Sequence, residues 1–238
     1  MPQFLIPAGK KAGDSVNLSP EESRHLAKVL RAKAGDRVKL TDGSGSLFRG
    51  RITAVSPRGV TVAIEEASAS KSPNGRILLA QGLLKGEKME FVLQKAAELG
   101  AAEVLPFTSS RTVAAWKKEP RKLQRWQKIA EGASKQSGRA THLKVTEPAP
   151  FAQVLKTEAD DKILFWEEGG PSPKEFLVGR RPDRIVILIG PEGGLSQEEV
   201  DQAFAAGFVV LSLGPLTLRA ETAAMTALAI VNYELGNF

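Results

Sequence analysis

Hydrophobic and polar positions divide the chain into two textures. Between Val16 and Glu66 apolar and polar residues roughly alternate in short runs, at Arg37–Leu40, Leu47–Ile52 and Gly59–Ile64. A period of two puts successive side chains on opposite faces of a strand, so each run predicts a strand with one buried face. Turn residues separate the runs, at Thr41-Asp42-Gly43-Ser44-Gly45 and Ser56-Pro57-Arg58-Gly59. Short strands at this spacing predict a small β-barrel. One helix interrupts it. Ser19 can cap, Pro20 suits the first helical position, and Glu22 completes a capping box. This helix is expected to run to about Arg31, with Leu26, Val29 and Leu30 facing inward.

Ala67 to Gly75 is small, polar and turn-rich, and reads as a linker. Beyond it, strands are expected at Arg76–Leu84, Glu103–Phe107, Lys162–Trp166, Arg184–Ile189 and Phe208–Leu213. Helices are expected at Glu87–Leu99, Pro120–Lys135, Ser196–Ala206 and Ala220–Leu235. Met89, Val92, Leu93 and Ala96 share one face of the first of these, and Gly100 ends it. Near-continuous apolar strands alternating with amphipathic helices predict an α/β fold with a buried parallel sheet. The expected division is therefore a barrel over residues 1–70 and an α/β domain over 71–238. No internal repeat is visible.

Composition narrows the chemistry. Of 238 residues, 42% are apolar and 25% charged, ordinary values for a globular protein. No cysteine is present, which excludes disulfides, thiolate nucleophiles and thiolate zinc sites, and only His25 and His142 could offer imidazoles, so no metal is expected. No apolar run reaches membrane-spanning length and Met1-Pro2-Gln3-Phe4 does not open a signal peptide, so a cytoplasmic location is expected. The net charge of +6 favours polyanionic partners. Residues 1–72 hold 12 basic and 7 acidic residues, leaving 21 and 20 for the rest, so the first third carries most of the excess.

Candidate chemistry concentrates at two C-terminal turns. The apolar run Ile185–Ile189 enters Gly190-Pro191-Glu192-Gly193-Gly194-Leu195-Ser196. Ligands of open parallel sheets bind at the carboxyl ends of strands, where Gly193 and Gly194 would admit positive φ and close backbone approach. Ser196 with Glu199 forms a capping box for the next helix. A second strand, turn and helix follows across Leu213-Gly214-Pro215-Leu216-Thr217-Leu218-Arg219-Ala220-Glu221-Thr222-Ala223. Each turn alone could be a tight connection without a ligand. As a pair they predict an amide-rich, apolar-walled pocket suited to an adenosine moiety. Neither G-x-G-x-x-G nor a P-loop motif is present, which disfavours phosphate binding.

These two motifs resemble those of the SPOUT methyltransferases, and more narrowly the RsmE family, which methylates N3 of a uridine in small-subunit (16S) ribosomal RNA. The resemblance extends to His25–Arg31, Lys95–Gly100, Glu131 with Gln136–Arg139, and Asn232–Gly236, spanning nearly the whole chain in order. It implies a PUA-like barrel that grips RNA, an α/β domain with a deep trefoil knot, and S-adenosyl-L-methionine as cofactor. It also implies a homodimer with its site near the subunit interface, and no metal.

Uracil N3 carries a proton, and its anion spreads charge onto O2 and O4, so a donor aimed at those oxygens favours the anion. Arg219 is the candidate, near the start of the last helix; a salt bridge to Glu221 or phosphate binding are its alternatives. Glu192 or Glu221 could take the proton. Cofactor contacts are expected from Gly190, Glu192, Gly193, Leu213, Leu218, Arg219, Thr222 and Ala223, with Glu167 reaching the ribose. For RNA, Arg24, Lys28 and Arg31 fall on one helical face at i, i+4 and i+7. Gln136 and Arg139 match a family motif. Lys117, Lys118, Arg121, Lys122, Arg125 and Lys128 could track phosphates, and Trp116 and Trp126 could stack on bases, although Trp126 reads better as core. His25 lies within a family motif but could be an ordinary surface histidine. Expected partners are ribosomal RNA or the small subunit. The alternatives are a methyltransferase acting on transfer RNA or a ribose 2′-hydroxyl, and a non-catalytic assembly factor.

Overall fold

Seven strands from Arg76 onward lie in one parallel sheet, and their residue pattern explains why. In the computed structural model, which describes residues 3–56, 59–69, 76–114, 116–117 and 119–238, the chain forms two compact units. One comprises residues 1–72 with 134–142, the other 73–133 with 143–238.

The first unit contains β1 (Gln3–Leu5), β2 (Ser15–Asn17), α1 (Pro20–Arg24), β3 (Arg37–Thr41), β4 (Ser46–Ser56) and β5 (Gly59–Ala69). The strands lie in the order β1-β3-β4-β5-β2. Their alternating apolar residues, among them Phe4, Val16, Val38, Leu40, Phe48, Ile52, Val62 and Ile64, converge on one core. The last strand runs to Ala69, so the first part of the expected linker is strand. Residues 70–75, Pro57 and Arg58 lie outside the described residues.

The helix of this unit departs from expectation. Ser19 Oγ accepts from the Glu22 N–H at 3.2 Å, but the Glu22 carboxylate pairs with Lys135 at 2.7 Å instead of closing a capping box. After Arg24 the helix widens to a π-turn over His25–Val29, with the Leu30 N–H donating to the His25 carbonyl at 3.1 Å. Arg31 then adopts φ 53°. The wider turn shifts the register of side chains, so Leu26 is buried while Val29 and Leu30 are 69% and 42% exposed. Arg24, Lys28 and Arg31 are all exposed, but the i, i+4, i+7 stripe expected of a regular helix is not formed.

The second unit runs β6 (Arg76–Gly82), α2 (Lys88–Glu98), β7 (Glu103–Thr108), α3 (Pro120–Gln136), β8 (Lys144–Val145), β9 (Ala149–Pro150), α4 (Phe151–Val154), β10 (Asp161–Phe165), α5 (Pro173–Leu177), β11 (Arg184–Ile189), α6 (Gln197–Ala205), β12 (Val209–Leu211) and α7 (Ala220–Glu234). The sheet order is β12-β10-β11-β6-β7-β8, with β9 also on β7, all parallel. Alternation sorts the central strands onto two faces. Ile77, Leu79, Ile163, Ile185 and Ile187 meet α2, α3 and α7, while Leu78, Ala80, Leu164, Val186 and Leu188 meet α4 and α6. Both faces are covered, which is why these strands read as continuous apolar runs. Trp126 is core, 1% exposed. Among the described residues no helix is long and apolar enough to cross a membrane.

Candidate active site

The carboxyl ends of β10, β11 and β12 open into a cavity of about 470 Å³, whose wall also takes in the start of α7 and Lys88 of α2. Its floor is fixed by backbone packing. After Ile189 the chain turns, the Gly194 N–H donating to the Pro191 carbonyl at 2.9 Å. Gly194 has φ 68°, a conformation that costs a side chain strain. Gly193 has no positive φ, contrary to expectation. On neighbouring β6, a Cβ at Gly82 would stand 2.3 Å from Pro191 N, so only glycine lets the two strand ends meet. Gln81 Nε2 locks the same crossing, donating to the Gly190 carbonyl at 3.2 Å.

The second turn follows β12. Ser212 Oγ both accepts from the Gly214 N–H and donates to the Gly214 carbonyl at 3.2 Å. Arg219 is the N-cap of α7 without a capping side chain, and the first turn of α7 contributes Ala220, Glu221 and Ala223 to the cavity wall.

Charge in the cavity is organised around Lys88. Its Nζ lies 3.8 Å from Glu192 Oε1 and 3.7 Å from Glu221 Oε1. Glu192 Oε1 also accepts the Lys85 N–H at 3.0 Å. Glu221 Oε2 is buried without a hydrogen-bond partner among the described residues. Arg219 is exposed and makes no ion pair among the described residues, so the alternative of a bridge to Glu221 is not realised: Lys88 occupies that role.

Of the residues singled out from sequence, Glu167, Gly190, Glu192, Leu213, Leu218, Arg219, Glu221 and Ala223 line the cavity. Gly193 and Thr222 do not. Gly193 faces Arg111, whose carbonyl would lie 2.9 Å from a Cβ there, and Thr222 is half-buried on another side of α7. Lys88 and Trp166 line it and were missed. Lys88 carries no local signal, because its role depends on carboxylates far along the chain. Trp166 read only as a strand end, although its Nε1 is buried without a partner among the described residues. No cluster of three or more His, Cys, Asp or Glu able to hold a metal occurs among the described residues.

The residues expected at RNA divide. Arg24, Lys28, Arg31, Gln136 and Arg139 all belong to the first unit. Gln136 is exposed, and burial pushes the Arg139 guanidinium below its ordinary value. On α3, Arg125 is paired with Glu90 at 2.7 Å. Trp116 stacks on Trp126 with centroids 5.4 Å apart, under the Lys122 ammonium, so its ring already has a partner. Lys118 lies outside the described residues. His25 is exposed, edge-on to Phe4.

Comparison with known proteins is consistent across the chain. A family model described as RNA methyltransferase domain matches residues 70–232, and one described as RNA methyltransferase PUA domain matches residues 18–65. The chain is 33% identical over 229 residues to Ribosomal RNA small subunit methyltransferase E of Bacillus subtilis, covering 92% of this chain and 90% of that protein. It is similar to a Legionella pneumophila methyltransferase solved in complex with the cofactor SAM, with TM-score 0.87 and 32% identity over 97% of this chain and 96% of that one. Ribosomal RNA small subunit methyltransferase E from Neisseria gonorrhoeae, solved bound to S-adenosyl methionine, matches with TM-score 0.87 and 30% identity over 98% and 97% of the two chains.

Proposed function

The chain belongs to the RNA methyltransferase family that includes ribosomal RNA small subunit methyltransferase E, and from that premise we propose that it methylates N3 of a uridine in small-subunit ribosomal RNA with S-adenosyl-L-methionine. The observation that carries the reading is the cavity at the strand ends, where an arginine and a carboxylate oxygen, both without partners among the described residues, share one wall. Its volume of about 470 Å³ falls in the range of small-molecule sites. Its apolar and main-chain walls, with Trp166 Nε1 lacking a partner among the described residues, fit an adenosine bearing polar substituents.

Gly190, Leu213 and Leu218 would hold the cofactor through main chain and apolar contact, with Glu167 at the ribose. Bound there, the cofactor supplies a methyl group on a sulfonium centre. The remaining work falls to the protein. Arg219, at the positive end of α7, stabilises charge on O2 and O4 of the uracil. Glu221 accepts the N3 proton through its free Oε2, leaving the nitrogen lone pair open to methylation. Glu192 is the weaker candidate for that role, because its Oε1 is engaged by the Lys85 N–H. Lys88 holds both carboxylates in place.

On this reading residues 1–70 grip the RNA and residues 71–238 perform the transfer, in a homodimer acting in the cytoplasm on ribosomal RNA or the small subunit. The resemblance of both C-terminal motifs to the SPOUT enzymes supports a trefoil knot in the second domain. Titration calorimetry with S-adenosylmethionine tests the cofactor assignment. The wild type and Glu221→Gln should both bind, with only the wild type transferring methyl groups efficiently. A wild type that binds no cofactor overturns the reading.

A further inference from the structure

The outward face of β3 and β4 carries four cations in two cross-strand pairs. Arg37 stands directly opposite Arg51, and Lys39 opposite Arg49. Val38, Leu40 and Phe48, at the alternate positions, are buried in the barrel core, so the four cations share the face turned away from it. Like charges directly opposite destabilise an antiparallel pair. Acids relieve this on one side only: Glu66 reaches Arg49 at 3.4 Å and Glu65 reaches Arg51 at 2.7 Å. Arg37 and Lys39 are exposed and have no ion pair among the described residues. The like-charged pair Arg76 and Arg184 of the parallel sheet contrasts with this, because Glu103 stands 3.6 Å from Arg76.

The row continues past Lys39. Its neighbour on β1 is Gln3, whose Nε2 donates to the main-chain carbonyl of Arg139 at 2.6 Å. Thr141 bridges Ser44, so the segment 134–142 runs along the edge of this face and brings Arg139 to it. The cations Arg24, Lys28 and Arg31 are a different set. Helix α1 packs on β5, where Ser23 Oγ accepts the Val60 N–H at 3.0 Å.

We infer that the β3–β4 face of the barrel docks the phosphate backbone of the substrate RNA, with Arg37 and Lys39 making the phosphate contacts. Arg49 and Arg51, fixed by their glutamates, set the register beside them. A phosphate bound between the strands would offset this repulsion. This inference rests on RNA being the substrate.

The test is binding of the whole 238-residue chain to a fluorescein-labelled small-subunit ribosomal RNA transcript, followed by anisotropy over a salt series. Arg37→Gln/Lys39→Gln should lower the slope of log K against log salt by about two, one for each lost phosphate contact. Lys10→Gln/Lys11→Gln, with the same change in net charge, should leave the slope close to that of the wild type. Arg37→Glu/Lys39→Glu places acids opposite Arg51 and Arg49, so it should raise the thermal midpoint while weakening RNA binding further. An unchanged slope in the first variant, or an equal loss in the lysine control, overturns the inference. So does a midpoint lowered by the charge reversal. A wild type that binds no RNA would instead defeat the proposed substrate.

Discussion

In the α/β unit, the groups offered to a ligand are fixed by the backbone. Gly82 packs against Pro191, Gln81 grips the Gly190 carbonyl, and Lys88 spans Glu192 and Glu221. In the barrel, the groups offered are exposed side chains ordered only by strand register, with Arg37 and Lys39 making no ion pair among the described residues. A methyl transfer needs donor and acceptor atoms held to within fractions of an ångström. A phosphate backbone needs positive charge at roughly the right spacing and tolerates mobility in the side chains that carry it. The two units should therefore fail differently: the cavity through small geometric changes, the barrel face through changes of charge.

The largest effect should come from Gly82→Val. Its Cβ would overlap Pro191 N, forcing the two strand ends apart at a cost of about 1–3 kcal/mol or more. Calorimetry should show cofactor affinity reduced beyond detection, and wild-type affinity would break the claim that backbone packing builds the site. Next is the chemistry itself. Glu221→Gln should lower kcat by roughly 10²–10⁴-fold and Arg219→Gln by about 10²–10³-fold, both with cofactor affinity little changed. Single-turnover transfer separates these effects from binding.

Within the barrel, Leu26→Ala should destabilise by about 2–5 kcal/mol, while Val29→Ala should stay within about 0.5 kcal/mol. A regular helix would make the two substitutions comparable in denaturant unfolding, so this pair tests the π-turn. The smallest effect on turnover is expected from Lys88→Met. Lys88 is 41% exposed, and exposed pairs contribute about 1 kcal/mol or less, so kcat should fall about fivefold or less. Lys88→Arg should restore it, and a loss as large as that of Glu221→Gln would make Lys88 more than a support.

The same contrast governs what could be read from sequence. The strand Arg184–Ile189 was legible to its last residue because burial on both faces leaves an uninterrupted apolar run. The Ser196–Glu199 capping box was legible because all of its chemistry is local. The α1 capping box failed because Glu22 found a distant partner in Lys135. Val29 and Leu30 were misplaced because a 3.6-residue period cannot register a single π-turn. Strand β1, three residues long and paired in parallel to β3, carries no local signal. At the site, both turns were visible as glycine-proline punctuation, but the direction in which Gly193 faces and the reach of Lys88 depend on contacts made only after folding.

The central claim is that the paired turns hold a cofactor whose methyl group passes to a uridine nitrogen. The most direct measurement supplies tritium-labelled S-adenosylmethionine and the purified protein to small ribosomal subunits that lack the modification, digests the RNA and separates the nucleosides. The account predicts label in 3-methyluridine, lost with Glu221→Gln. Label in a ribose-methylated nucleoside, or none in ribosomal RNA while the protein binds cofactor, would contradict it.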